Sequence, residues 1–154
     1  MSTRHSTKNK PVFSELSRDD AIALIVRHHV GRLAFTFHDR VDIEPISYVC
    51  ADEWLYMRTS HGTKLDTVQH HPWVAFEVDE IHGHFDWKSV VVRGTIYFMD
   101  PDGGGHDREA YDAAVKVLRS VDGDAFTDAD ATPHRQRLLR LHVDDITGRA
   151  ARSA

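Results

Sequence analysis

The residues best equipped for chemistry sit close together, in the run Arg58-Thr59-Ser60-His61-Gly62-Thr63-Lys64. Two cations, Arg58 and Lys64, bracket the hydroxyls of Thr59, Ser60 and Thr63. The preceding segment, Trp54 to Thr59, is bulky and aromatic and reads as a strand. Thr63 fits a helix N-cap, and Asp66 stands three positions later at capping-box spacing. A strand end, a glycine and a helix start leave backbone N–H groups unpaired, and the helix dipole adds positive potential there. Hydroxyl donors, cations and free N–H groups are the parts that hold one phosphate group. The same residues also fit an ordinary strand–turn–helix connection with solvated charges.

Elsewhere the sequence carries no nucleophile elbow, no HExxH and no glycine-rich dinucleotide fingerprint, so no residue reads as a dedicated catalytic acid or base. Twelve histidines are present, several paired as His28-His29 and His70-His71, or spaced as His82-Gly83-His84. None closes the Cys/His spacing of a zinc site, and surface histidines in a loop are the simpler account; no metal is expected. The single cysteine, Cys50, cannot form an internal disulfide, which fits a reducing, cytoplasmic compartment. It reads as a small half-buried strand residue rather than a nucleophile.

The chain has 154 residues, the size of one domain. A formal charge of −5 argues against wholesale nucleic-acid binding. No apolar run approaches a membrane span, and the N-terminus lacks a signal-peptide apolar region.

These residues need elements to position them. Residues 1–12 read as a disordered tail, 13–148 as one domain and 149–154 as a second unstructured tail. Ser17 caps a first helix, with Asp20 at the capping-box position and Leu16 as hydrophobic staple. Val30 to Phe37 alternates with period two, as a half-buried strand does. Val41 to Val49 is a second strand with Pro45 in its middle, which marks an edge, a bulge or a close approach by something else. After the Trp54–Thr59 strand, a short helix over 64–70 leads to strands from Trp73 to Asp79 and from Trp87 to Phe98, joined by a loop of about seven residues. Val90-Val91-Val92 reads as buried on both faces, and Gly94 as a bend that lets a barrel close. An amphipathic helix follows over 109–120, then a loose acidic stretch over 121–132 and a last strand over 138–143. Six strands in largely hairpin order predict an antiparallel barrel with flanking helices.

The segments Val30-Gly31-Arg32-Leu33, Pro45-Ile46-Ser47-Tyr48, Leu55-Tyr56 with Gly62-Thr63-Lys64, Val74 to Asp79, and Trp87 to Gly94 occur in an order that resembles the split-barrel flavoproteins related to pyridoxamine 5′-phosphate oxidase. Within them the pattern is most similar to the branch containing the 5-nitroimidazole reductases. The likeness covers about residues 17–99, with a looser match in the final strand.

The resemblance implies a mainly β fold, a six-stranded antiparallel split β-barrel that binds FMN at a homodimer interface. By position, Arg58, Thr59, Ser60, Thr63 and Lys64 would hold the FMN phosphate. The backbone of Pro45, Ile46, Ser47 and Tyr48 would run along the isoalloxazine ring, and Ser47, Tyr48 and Ser89 are candidates for hydrogen bonds to the ring edge. Trp87 and Ser89 match positions near the flavin, in some members reaching it from the partner subunit. In the nitroimidazole reductases the position of Arg58 carries a histidine tied to that activity, so drug inactivation is not implied. No equivalent of the C-terminal substrate-binding Trp and Arg of the true oxidases is visible either, so oxidation of pyridoxamine phosphate is not expected.

The implied function is a flavin-dependent oxidoreductase acting on a small-molecule substrate or electron donor. Two alternatives keep the barrel. It binds FAD, the deazaflavin F420 or haem instead (His61 or His71 supplying an axial ligand), or it sequesters flavin without turnover. Apolar surface from Trp73, Trp87 and the valine run is available for a dimer contact or for the barrel core.

Overall fold

A computed structural model describes residues 10–60, 62, 67–69 and 72–154. The elements are β1 (Pro11–Glu15), α1 (Arg18–Val26), β2 (Val30–Phe37), β3 (Arg40–Ala51), β4 (Trp54–Thr59), a 3-10 turn (Thr67–Gln69), β5 (Trp73–Gly83), β6 (Asp86–Met99), α2 (His106–Arg119), β7 (Arg137–His142) and β8 (Asp145–Ser153). Antiparallel pairing runs β1-β8-β6-β5-β2-β3-β4-β7, and a further β6–β7 pairing closes β2 to β7 into a six-stranded barrel. This is the antiparallel barrel that the strand order predicts, and the split β-barrel that the family resemblance implies.

Closure depends on β6. Its first half, Trp87 to Arg93, pairs with β8, whereas Ile96 to Met99 pairs with β7. The change of partner falls at Gly94-Thr95, where a Cβ on Gly94 would come within 3.1 Å of Leu141. Two hairpins turn on left-handed residue pairs, His38-Asp39 and Asp52-Glu53, all at positive φ, as two-residue loops between twisted strands require.

Alternation sorts the side chains. Leu33, Phe35, Leu55, Met57, Val90, Val92, Leu139 and Leu141 point inward, and α1 covers that core with Ala21, Leu24 and Ile25. Each leucine removed fully from water contributes about 2 kcal/mol. On the outer face, α2 lays Ala114 and Leu118 over Val49, Tyr56, Met99 and Leu138. As a result β4 is buried on both faces from Leu55 to Arg58. Ser17 Oγ accepts the Asp20 N–H at 3.1 Å, so α1 begins where its capping residues place it.

Several expectations need correction. Residues 1–9 of the expected N-terminal tail lie outside the described residues, but Pro11 and Val12 belong to a strand, and 149–154 is largely strand: Pro11–Glu15 pairs with Arg149–Ser153, and β8 in turn pairs with β6. The stretch over 84–85 is a tight turn rather than a seven-residue loop, because β5 and β6 pair out to Gly83 and Asp86. Val91 is half-buried between Val90 and Val92, so that strand alternates and is not buried on both faces. Most of the 64–70 helix lies outside the described residues, and only the 3-10 turn at Thr67–Gln69 is seen. The acidic stretch over 121–132 is not loose, for a reason that belongs to the site.

Candidate flavin site

Along β3, Tyr48 to Ala51 pairs with β4, but Arg40 to Ser47 pairs only with β2. That leaves the outer edge of β3 without a strand partner among the described residues. Pro45, which has no N–H to donate, stands on this edge opposite Arg32. On the neighbouring strand Gly31 is required by packing, since a Cβ there would lie 2.3 Å from the Phe76 ring.

A cleft of about 390 Å³ opens at this edge. Pro45, Ile46 and Ser47 form one wall, and Arg58, Thr59 and Ser60 another. The structure thus brings together six residues that the sequence singles out from two separate segments. Thr63 and Lys64 lie outside the described residues, as do His61 and His71. Trp87 and Ser89 are not in the cleft. Trp87 packs against Phe13, with ring centroids 6.4 Å apart, and Ser89 Oγ donates to Glu77 Oε2 at 2.8 Å. Burial pushes the Glu77 carboxyl above its ordinary value, opposed by that Ser89 bond and by Arg32.

Arg58 is only 6 % exposed and its charge is already matched. Nη2 and Nη1 reach the two oxygens of Asp130 at 2.8 and 3.3 Å. Nε and Nη2 also donate to the carbonyl of Arg135, and Phe126 lies over the guanidinium carbon at 4.1 Å. Asp130 in turn accepts the N–H groups of Phe126 and Thr132. Hydrogen bonds from Arg58, then from those backbone groups, hold its carboxyl well below the usual carboxylate range. This clasp orders the 121–136 segment.

Tyr48 turns inward. Its hydroxyl donates to the Ile25 carbonyl at 2.6 Å, its N–H donates to the His29 carbonyl, and burial raises its phenol well above the ordinary value. Ile46 offers only backbone, its side chain being buried. Burial also pushes the Cys50 thiol up to about 11, which leaves it unreactive near neutral pH.

Val30, His134 and Arg135 complete the cleft, and nothing local in the sequence marks them. Arg135 supplies the cation that Arg58 does not. Its guanidinium has no carboxylate partner among the described residues, and Nη1 donates weakly to Ser47 Oγ at 3.4 Å. Among the described residues no three His, Cys, Asp or Glu side chains converge on a metal position, and no helix is long and apolar enough to cross a membrane.

Comparison with solved structures places this geometry. An FAD-binding protein from Mesorhizobium loti is 27% identical with a TM-score of 0.71, covering 92% of this chain and 99% of that one. The FAD-binding protein of Mycobacterium smegmatis shares the fold at 24% identity and a TM-score of 0.63, over 90% of this chain and 99% of that one. A candidate 5-nitroimidazole antibiotic resistance protein from Bacteroides thetaiotaomicron shares it at 14% identity and a TM-score of 0.67, over 92% of this chain and 89% of that one. An uncharacterised protein from Rhizobium meliloti is 30% identical over 91 residues, which is 59% of this chain and 60% of that relative's length. The match therefore spans less than two thirds of that curated relative. The family model for pyridoxamine 5′-phosphate oxidase matches residues 17–150, which include the whole barrel from β2 to β7, and the chain belongs to that family.

Proposed function

We propose that the protein binds FMN in the cleft along the open edge of β3 and acts as a flavin-dependent oxidoreductase. The observation that carries this reading is the meeting of Pro45–Ser47 with Arg58–Ser60 around one opening of about 390 Å³, within the ~300–1,000 Å³ range of small-molecule sites. Ser60 and Thr59 would hold the phosphate by their hydroxyls, with Thr63 and Lys64 joining them. Arg135 would add positive charge, and the backbone of Pro45 to Tyr48 would lie along the ring. When bound, the flavin supplies the electron-transfer chemistry, and the protein positions it and limits water. Arg58 serves this site by holding the wall, since its charge is taken up by Asp130.

A homodimer belongs to the same proposal. Val41 and Ile43 on the open edge are 81% and 60% exposed, an apolar strip suited to a second copy. That copy would bring its Trp87 and Ser89 toward the cleft, where this chain does not place them. Binding of FAD in place of FMN, suggested by the names of the Mesorhizobium and Mycobacterium proteins, is an outcome of the same test.

The test is a titration of FMN and of FAD into the purified protein, followed through flavin absorbance and fluorescence, with Ser60→Asp as the variant. A carboxylate at that position should weaken FMN binding roughly tenfold or more by repelling the phosphate. Reduction of the bound flavin by NAD(P)H and reoxidation by an acceptor would support turnover. A flavin that binds but accepts electrons from no donor would instead indicate a storage module.

A further inference from the structure

Behind the flavin cleft lies a second cavity, of about 270 Å³. It sits between β3, the end of α2 and the 121–136 segment that Arg58 clasps. Val30, Ser47, Arg58 and Arg135 line both spaces, so the two meet at that point. The walls divide by chemistry. Val49, Leu118 and Ala125 make a buried apolar floor, and the exposed Val121 and Ala131 rim it. At the shared end stand Ser47 and Arg135. Ser47 Oγ accepts from Arg135, so its own proton is free to donate, and the remaining Arg135 N–H groups have no partner among the described residues. The His29 ring lies there too, with Nδ1 3.3 Å from the Tyr48 carbonyl. Of the acidic groups, Asp130 is spent on Arg58, and Asp122, exposed on the loop, accepts the Asp124 N–H.

We propose that this cavity is a second ligand site, for a planar compound of one or two rings that carries an acceptor oxygen on one edge. Its rings lie among Leu118, Val121, Ala125 and Ala131, and its oxygen faces Arg135 and Ser47. Size sets the ring count: a dry apolar cavity of about 150 Å³ admits benzene, and this one is nearly twice that. The donor-only character of Arg135 sets the polarity, because a guanidinium pairs with carboxylate or carbonyl oxygens and with no donor. The Arg58–Asp130 clasp keeps the cavity open without a ligand. Because Ser47 belongs to both spaces, the compound would be the substrate of the oxidoreductase proposed above. That role rests on the flavin reading, but the site itself does not.

The experiment measures binding of 2-naphthoate and of naphthalene to the full chain, without flavin and again with FMN added, by protein-observed NMR. The expected result is that 2-naphthoate binds at least about tenfold more tightly than naphthalene, and that Arg135→Ala removes the difference. Ala131→Phe, at an exposed wall position, and Ala125→Phe, at a buried one, should each weaken both compounds at least about fivefold while FMN affinity stays within about twofold. If 2-naphthoate binds no better than naphthalene, or ignores both wall variants, the proposal fails. It also fails if those variants weaken FMN as much as 2-naphthoate, since the cavity is then part of the flavin's own site. If the naphthoate pattern holds and FMN does not bind, the second site stands and the flavin reading falls.

Discussion

Arg58 and Asp130, 72 residues apart in sequence, face each other with Nη2 2.8 Å from Oδ2, and both are buried. One partner comes from the barrel and the other from the segment between α2 and β7. The pair turns an acidic connection into a wall shared by the proposed flavin cleft and the cavity behind it. Removing one member leaves the other charged, buried and unmatched, which costs more than the pair itself contributes.

Asp130→Ala should therefore release the 121–136 segment while the barrel stays folded. Amide hydrogen exchange over those residues is expected to speed up roughly tenfold or more, with little change in β2, β5 and β6. Because the Asp130 carboxyl is held low, the clasp is present above the ordinary carboxylate range and is lost only as pH falls through the folded value. Exchange in the wild-type segment should accordingly stay slow from neutral pH down past pH 4.

Tyr48→Phe separates a core role from a cofactor role. The hydroxyl ties β3 to the Ile25 carbonyl of α1 at 2.6 Å, and losing it removes that bond while the carbonyl keeps the His28 N–H at 3.3 Å, at a cost of about 0.5–1.5 kcal/mol. Thermal unfolding should shift downward by that amount. FMN affinity should not change, because no polar group of the Tyr48 side chain faces the cleft.

Glu80, on β5, gives a pH signature at the C-terminal end of α1. It accepts from Arg27 Nε and pairs with His28 Nε2 at 2.6 Å. The Arg27 hydrogen bond, then the His28 one, lower its carboxyl to about 2 from an ordinary 4.5. A depressed folded value means that the stabilisation is full above pH 4.5 and is lost as pH falls toward 2. The groups are partly exposed, so the effect is at most about 1 kcal/mol. Glu80→Gln should flatten the acid limb of the stability curve in that window and leave pH 7 stability lower by the same small amount.

The parts of the fold legible in the sequence are those with local patterns. Val30–Phe37 alternates with period two, Ser17 and Asp20 sit at cap spacing, and Pro45 announces an unpaired edge. Pairing between distant segments with little apolar content is not legible in this way. Pro11–Glu15 has four exposed residues out of five, and nothing in the Arg149–Ser153 stretch signals a strand. The two join because each completes the other's backbone hydrogen bonds. The site divides along the same line. Pro45–Ser47 and Arg58–Ser60 carry motif character, and the fold brings them together. Asp130 and Arg135 sit in a connection held by distant contacts, with Arg58 of β4 and with Arg119 of α2, so their types and spacing predict neither the clasp nor a guanidinium without a carboxylate partner among the described residues.

A structure determined with FMN added decides whether the cleft at the β3 edge holds the cofactor. One flavin per chain is expected, its phosphate within hydrogen-bonding distance of Ser60 and its ring against the Pro45–Ser47 edge. Density for FMN elsewhere on the barrel, or an empty cleft at saturating FMN, would contradict it.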